Sequence, residues 1–475
     1  MMDDVREKLS TLLGPRGYTE DAADMAPWLT DWRGRYHGRA MAMVSPASTQ
    51  QVVQIVQICA AHRIPIVPQG GNSGMVAGAT PDDTGKAVLL SLRRMDAIGM
   101  DRIDEGLAVC EAGVILQTLH EALAARGRRF PLTLGGKGSA TVGGLVSTNA
   151  GGTQVLRHGT MRALVAGLEA VMADGSVIDG TAALKKDNRG YDLQQLLIGA
   201  EGTLGIVTRA VLKTVPALID RCVAWIGLDS PHAAYRLLQF LQDKAPDQLE
   251  GFEIIPDDTA RATAAHLPGA RLPLAGSHRW HVLAEWVQDR PGQTDPRALA
   301  EQLLADAMEQ GLAQDAALSG SEAQADDFWR IRDSISEAER ALGPALQHDV
   351  SVPVGAMPDF IVDAAAQIEQ AYPGTHAIAF GHLGDGNVHF HVRAPQDVDA
   401  EAWYAGDGRT IGHKVYDIVD SYGGSISAEH GIGQAKLDEL ARLTDPGRMN
   451  ALGAIKRALD PLGILNPGKI LSLHG

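Results

Sequence analysis

The sequence predicts a chain of two or three domains that mixes helices and strands, and three observations predict it. At 475 residues it is longer than one hydrophobic core sustains. Residues 45–95 read as helix, strand and glycine loop, whereas Gly and Pro thin out after Pro216 and polar, helix-like stretches follow at 232–244, 296–311 and 322–342. Within this second region, Asp385-Gly386 between two β-rich runs is a strong hairpin signal.

Taken in order, the elements begin with MMDDVREKLSTLLG, which is acidic and amphipathic where a signal peptide would be basic then apolar. No apolar run reaches the roughly 18 residues that span a bilayer. Ser48 with Gln51 resembles a capping box, and Val52, Val53, Val56 and Cys59 follow at helical spacing as core. Ile64 to Val67 form a short strand ending at Pro68, and Gln69-Gly70-Gly71-Asn72-Ser73-Gly74 follows. A second glycine-rich segment, LGGKGSATVGGLVSTNAGG, runs from Leu134 to Gly152, with strands expected at Leu168 to Ala173 and Ile206 to Val215. From Ser427 the chain carries another glycine loop, a helix and a terminal LNPGKIL, without repeats or low-complexity tracts.

Charge narrows the partners. Lys plus Arg number 42 against 58 Asp plus Glu, a net charge of −16, which disfavours nucleic acid and anionic membranes. Aromatics at 5% leave little for stacking on single strands. Cys59, Cys110 and Cys222 are odd in number, far apart and outside any Cys-x-x-Cys pair, which points to a reducing, cytoplasmic compartment.

The hairpin holds the densest chemistry. In HLGDGNVHFH, a two-residue Asp385-Gly386 turn pairs Gly384 with Asn387 and Leu383 with Val388, which sets His382 opposite His389. Their Cβ atoms would lie about 4.5–5.5 Å apart, a spacing that suits two nitrogen ligands on one divalent metal. Asn387, His389 and His391 share one face, Val388, Phe390 and Val392 the other, so one face is polar and the other core. A third ligand is required, since metal sites that do chemistry usually carry three protein ligands and an open position.

Clustered glycines let backbone N–H groups approach phosphate closely. Neither loop matches G-x-G-x-x-G opening a helix, and Gly85-Lys86-Ala87 departs from the phosphate-loop pattern at Thr80 and Ala87. NAD and ATP in their usual folds are therefore disfavoured. Two loops whose only charge is Lys137 favour a buried, elongated ligand that bears phosphate.

Six motifs in this order, QGGNSG, GGLVSTNAGG with RHGTMRALVAGLEAVMADG, DNRGYDLQQLLIGAEGTLGIVT, HLGDGNVHFHV, SAEHGIG and LNPGK, resemble the FAD-dependent D-2-hydroxyacid dehydrogenases of the vanillyl-alcohol oxidase and p-cresol methylhydroxylase superfamily. The likeness spans residues 36–471. It implies an α+β fold: a two-lobed FAD-binding domain at 1–216, an α+β substrate domain with a largely antiparallel sheet at 217–415, and a segment at 416–475 that completes the active site. By the resemblance, the pyrophosphate lies on Gln69, Gly70, Gly71, Asn72, Ser73 and Gly74. The isoalloxazine is expected near Gly138, Ser139, Thr141, Gly143 and Gly144 and near Asn149, Gly151 and Gly152. Gly202, Ile206 and Val207 are expected near the adenine half, with Asn466 closing from the C-terminus. Relatives that bind flavin covalently tether it through His or Cys in the first loop, and neither occurs between Gln69 and Gly78, so FAD is expected to be noncovalent.

The resemblance also assigns Glu429 as third metal ligand beside His382 and His389, and His430 as the base. Such a site takes zinc, with manganese, cobalt or iron permitted. A 2-hydroxy acid would chelate the metal through hydroxyl and carboxylate while His430 takes the hydroxyl proton and hydride leaves Cα for flavin N5. Arg332 and Ser336, four apart in DDFWRIRDSISEAERAL, are expected on one helix face. With Gln347, Asn387 and His391 they are the expected substrate contacts. Where the D-2-hydroxyglutarate branch has Lys and Asn, this chain has Gln347 and His391, which leaves D-2-hydroxyglutarate and D-lactate both open. An electron-transfer flavoprotein, a quinone or a cytochrome could reoxidise the flavin, and a homodimer is the family expectation. Three rivals fit parts of the pattern: an alcohol oxidase, a flavoprotein without net redox change, and a zinc hydrolase with purely structural glycine loops.

Overall fold

The computed structural model describes residues 2–472. The chain forms two compact units. One comprises Met1–Gly152, His158–Val215 and Glu429–Gly475; the other comprises Thr153–Arg157 and Pro216–Ala428. Among the described residues no helix is long and apolar enough to cross a membrane.

The first unit holds two main sheets. In the four-stranded sheet, Ala42–Val44 and Ile66–Gln69 flank Val88–Ser91 in parallel, and the helix Thr49–His62 makes the crossover. That helix starts as expected: the Ser48 hydroxyl accepts the Gln51 N–H, while the Gln51 amide oxygen reaches back to the N–H of Ala47. Val52, Ile55, Val56 and Cys59 are fully buried. Pro68 falls inside the strand, tolerated because Ile66–Gln69 is an edge. The five-stranded antiparallel sheet is built around Ile206–Lys213, between Leu107–Glu111 and Val165–Val171.

The second unit is one antiparallel sheet of seven strands, in the order Asp315–Leu318, Asp220–Leu228, Trp280–Gln288, Leu249–Pro256, His376–His382, Asn387–Arg393, Ala345–Ser351. Period-two alternation divides its faces. Ala224, Phe252, Ala284, Ala379, Val388 and Phe390 pack with the helices Pro231–Lys244, Pro296–Glu309, Met357–Ala371 and Asp407–Ser421. On the opposite face, Val223, Trp225, Ile255, Leu283, Ile378 and Phe380 pack with Asp257–His266, Glu322–Asp333 and Ile335–Ala341. Each of the larger side chains among these, such as Val388, Phe390, Leu283 and Phe380, contributes on the order of 1.5–3 kcal/mol. The antiparallel sheet and the mixture of helix and strand agree with the α+β expectation.

Two local expectations are corrected. The helix-like stretch 322–342 is two helices, broken at Ser334, whose φ −87° and ψ 0° leave the helical range. Arg332 and Ser336 therefore do not share one continuous helix face. The hairpin register also slips by two: His382 faces Asn387, Gly381 faces Val388, and His389 faces Phe380. The loop has four residues because Leu383 is drawn fully into the core and Gly386, at φ +82°, abuts Val352, whose carbonyl a Cβ would approach to 2.2 Å. A slip of two preserves the faces, so His382 and His389 become diagonal neighbours.

Candidate active site

In the first unit, the edge strand Ile66–Gln69 delivers the loop Gly70–Gly74. A Cβ on Gly70 would lie 2.1 Å from the Thr141 hydroxyl, and one on Gly71 would lie 1.6 Å from the Ser139 carbonyl. The two glycine loops thus pack on each other. Asn72 and Asn149 hold positive φ and have structural partners: Asn72 donates to the Thr30 carbonyl at 2.8 Å, and Asn149 accepts the Arg162 N–H at 2.9 Å. A Cβ on Gly143 would meet Ala112, one on Gly152 the Thr133 carbonyl, and one on Gly202, which holds φ +70°, the Pro68 ring. Ile206 and Val207 are buried in the two apolar cores, so their side chains serve packing.

What remains suits a flavin dinucleotide. Gly74 has nothing within 4 Å of a Cβ position, and Gly138 and Gly144 have only ordinary contacts. Gln69 donates to the carbonyls of Trp28 and Ala79. Its Oε1, the Thr141 hydroxyl and Asn466 Oδ1 are buried without a hydrogen-bond partner, the kind of group a ligand completes. Asn466 Nδ2 donates to the carbonyls of Gly78 and Glu201, which places the C-terminal motif beside the glycine loops. Ser73 and Gly151 lie within these loops.

The second unit gathers the hairpin residues. The His382 and His389 rings have centroids 5.6 Å apart at 78°. His389 and His391 both pack on Phe380, at 5.2 and 5.1 Å. On the neighbouring strand, Asp349 faces His389 and Gln347 faces His391. Asn387 donates its side-chain NH₂ to Asp349 Oδ1 at 2.8 Å and to the Val350 carbonyl at 3.1 Å, while its Oδ1 is buried without a hydrogen-bond partner among the described residues. Gln347 donates to the Ser336 carbonyl at 3.5 Å, which brings those two expected contacts together through backbone. Burial pushes His389 well below the usual imidazole range, and the charges of Arg332 and His382 act the same way. It is therefore a neutral imidazole near pH 7, the form that binds metal.

Two residues escaped the sequence reading. Glu253, 1% exposed, sits opposite His382 where the two halves of the sheet join through a short pairing. Its Oε2 accepts Arg332 Nε at 2.8 Å, and its Oε1 is 3.7 Å from His382 Nε2. Asp349 is 2% exposed beside the imidazoles. The available signal was a carboxylate alternating with buried apolar residues, Glu253 in GFEIIP and Asp349 in LQHDVSV. Glu429 and His430 are half-buried and open the segment that belongs to the first unit.

Residues 40–181 match the family "FAD binding domain", and residues 219–470 match "FAD linked oxidases, C-terminal domain". The chain is 36% identical over 461 residues to the mitochondrial D-2-hydroxyglutarate dehydrogenase of Arabidopsis thaliana, covering 97% of this chain and 80% of that one. It is 34% identical over 469 residues to the D-2-hydroxyglutarate dehydrogenase of Stutzerimonas stutzeri, covering 98% of each. Among solved structures, substrate-bound p-cresol methylhydroxylase superposes with a TM-score of 0.78 at 17% identity, covering 100% of this chain and 97% of that one. An alkyldihydroxyacetonephosphate synthase superposes with a TM-score of 0.74 at 16% identity, covering 98% and 86%. With both halves matched and relatives aligned over 97–98% of this chain, the chain belongs to the FAD-dependent D-2-hydroxyacid dehydrogenases, a family of FAD-linked oxidoreductases with the vanillyl-alcohol oxidase and p-cresol methylhydroxylase fold.

Proposed function

We propose that the chain oxidises a D-2-hydroxy acid to the 2-oxo acid, with FAD held noncovalently between the two glycine loops and a divalent metal, zinc first, on His382, His389 and Glu429. The observation that carries the reading is the pair of imidazoles 5.6 Å apart, one of them kept neutral, on the face that also presents Arg332. FAD, when bound, would supply the two-electron acceptor for the hydride that leaves Cα. The metal, when bound, supplies a Lewis acid for the substrate's hydroxyl and carboxylate oxygens. His430 takes the hydroxyl proton, which completes the loss of two electrons and two protons. Arg332 orients the distal end of the substrate, with Ser336, Gln347 and His391 beside it.

The names of the full-length relatives support D-2-hydroxyglutarate as substrate. A second reading, a monoacid such as D-lactate, is favoured by the neutral amide at Gln347 and by Glu253, which already balances Arg332. An electron-transfer flavoprotein or a quinone is the proposed acceptor, and three unpaired, buried cysteines support a reducing compartment, the cytoplasm. Anaerobic mixing of the yellow protein with D-2-hydroxyglutarate, D-lactate, D-malate and their L forms tests the reading. Bleaching by one or more D acids alone is expected. Bound flavin that no 2-hydroxy acid bleaches would refute it, and flavin that stays with denatured, precipitated protein would refute noncovalent binding.

A further inference from the structure

Glu201 lies in AEGTLGIVT, far in sequence from the proposed chemistry, and the structure gives it an unusual position. It is 8% exposed and holds φ +50°, a conformation that costs a non-glycine residue free energy unless its surroundings fix it. Its N–H donates to the Ser147 carbonyl at 2.8 Å, and its own carbonyl accepts Asn466 Nδ2 at 2.7 Å. The carboxylate then grips two consecutive backbone groups: Oε1 accepts the Ile432 N–H at 2.7 Å and Oε2 the Gly433 N–H at 2.8 Å. Those groups follow His430 by two and three residues.

The turn and the carboxylate leave no space between them. Gly431 holds φ +82°, and a Cβ there would sit 2.6 Å from Glu201 Oε1; Gly433 holds φ +51°, and a Cβ there would sit 2.1 Å from the Val76 carbonyl. Immediately beyond, Gln434 donates its N–H to Val76 and its side-chain amide to the carbonyls of Ala77 and Thr80. His430 is thus the residue at which the chain enters a segment whose backbone is fixed by Glu201 and by the loop 76–80.

We propose that Glu201 is the positioning residue for His430: by holding the N–H groups of Ile432 and Gly433, it sets the turn that aims the imidazole. The inference rests on His430 being the base. A carboxylate is suited to the task because it accepts two parallel N–H groups with charge assistance. An amide of the same shape offers one oxygen and turns its own NH₂ against the second donor.

Glu201→Gln in the FAD-loaded full chain should slow flavin reduction on the order of 10²-fold, the cost of an ångström-scale misplacement, with KM and flavin content near wild type. Because Glu201 acts through His430, Glu201→Gln added to His430→Ala should cost almost nothing further. Gly431→Ala approaches the same contact from the turn and should behave alike. Wild-type reduction in Glu201→Gln, losses that multiply with His430→Ala, or loss of flavin in both clamp variants would each overturn the proposal. A His430→Ala enzyme that reduces flavin normally removes the base itself, whereas a slow His430→Ala beside a fast Glu201→Gln removes this inference alone.

Discussion

Arg332 and Glu253 form a buried ion pair in which Nε and Nη2 lie 2.8 and 2.7 Å from the same oxygen, Oε2. The other oxygen faces His382, so one carboxylate steers both the guanidinium proposed for substrate and an imidazole proposed for metal. Removing Glu253 takes the nearer carboxylate from a guanidinium whose side chain is only 11% exposed, with Asp333 at 3.7 Å beside it. Breaking a buried pair from one side costs about 3–5 kcal/mol, while replacing both partners by apolar groups is often neutral. Glu253→Ala should therefore lower the unfolding free energy by that order, read from the denaturant midpoint and slope, and Glu253→Met with Arg332→Met should recover much of it while the substrate KM rises. A double variant no more stable than Glu253→Ala alone would show that the pair is not what the single change disturbs.

Gln347 offers a neutral amide opposite His391. Gln347→Lys adds a fixed charge where a second substrate carboxylate would need one. The ratio of kcat/KM for D-2-hydroxyglutarate over D-lactate should rise by at least about tenfold, the value of one charge-assisted hydrogen bond of 1.5–3 kcal/mol. An unchanged ratio in steady-state assays of both acids would place the selection elsewhere.

Lys469, 3% exposed, is lowered by burial to about 8, against the attraction of Asp82 and Glu201. Its folded pKa thus lies below the 10.5 of an unperturbed lysine. Below pH 8 both states carry the proton and the folded state bears the full cost of burying it. Between pH 8 and 10.5 the unfolded chain binds more protons, so this lysine's contribution to stability improves as pH rises. The stability of Lys469→Met relative to wild type should fall by roughly 3 kcal/mol between pH 7 and pH 10.5, the pH-dependent part of burying the ammonium. Denaturant titrations at pH 7, 8.5 and 10 check this, and a difference that does not vary with pH would refute it.

Much of this was legible from residue patterns, because periodicity and turn chemistry act locally. The capped helix after Ser48, the polar and apolar faces of the strand Asn387–Arg393, and the meeting of two imidazoles follow from spacing alone. The hairpin register did not, since the burial of Leu383 and the contact of Gly386 with Val352 are tertiary and override a strong dipeptide signal. The break at Ser334 was hidden inside a continuous helical pattern. Glu253 and Asp349 carry no motif, and only strand pairing across long sequence separations brings them to the imidazoles. At Gly143, Gly152 and Gly202 the missing Cβ makes room for neighbouring residues, a tertiary reason for glycine that the sequence pattern does not carry.

The short segment Thr153–Arg157 groups with the second unit although chain on either side belongs to the first. Arg157 is forked between Glu250 at 2.9 Å and Asp289 at 2.7 Å, with all three side chains nearly inaccessible, and Leu156 fills the space against Gly384 in the hairpin loop. The polypeptide therefore passes between the units four times, at residues 152, 157, 215 and 428. A chimera that exchanged only residues 216–428 for those of a relative would set a foreign hairpin against this chain's Leu156 and foreign partners against its Arg157. In this architecture the transferable module is discontinuous, and five residues upstream must travel with it.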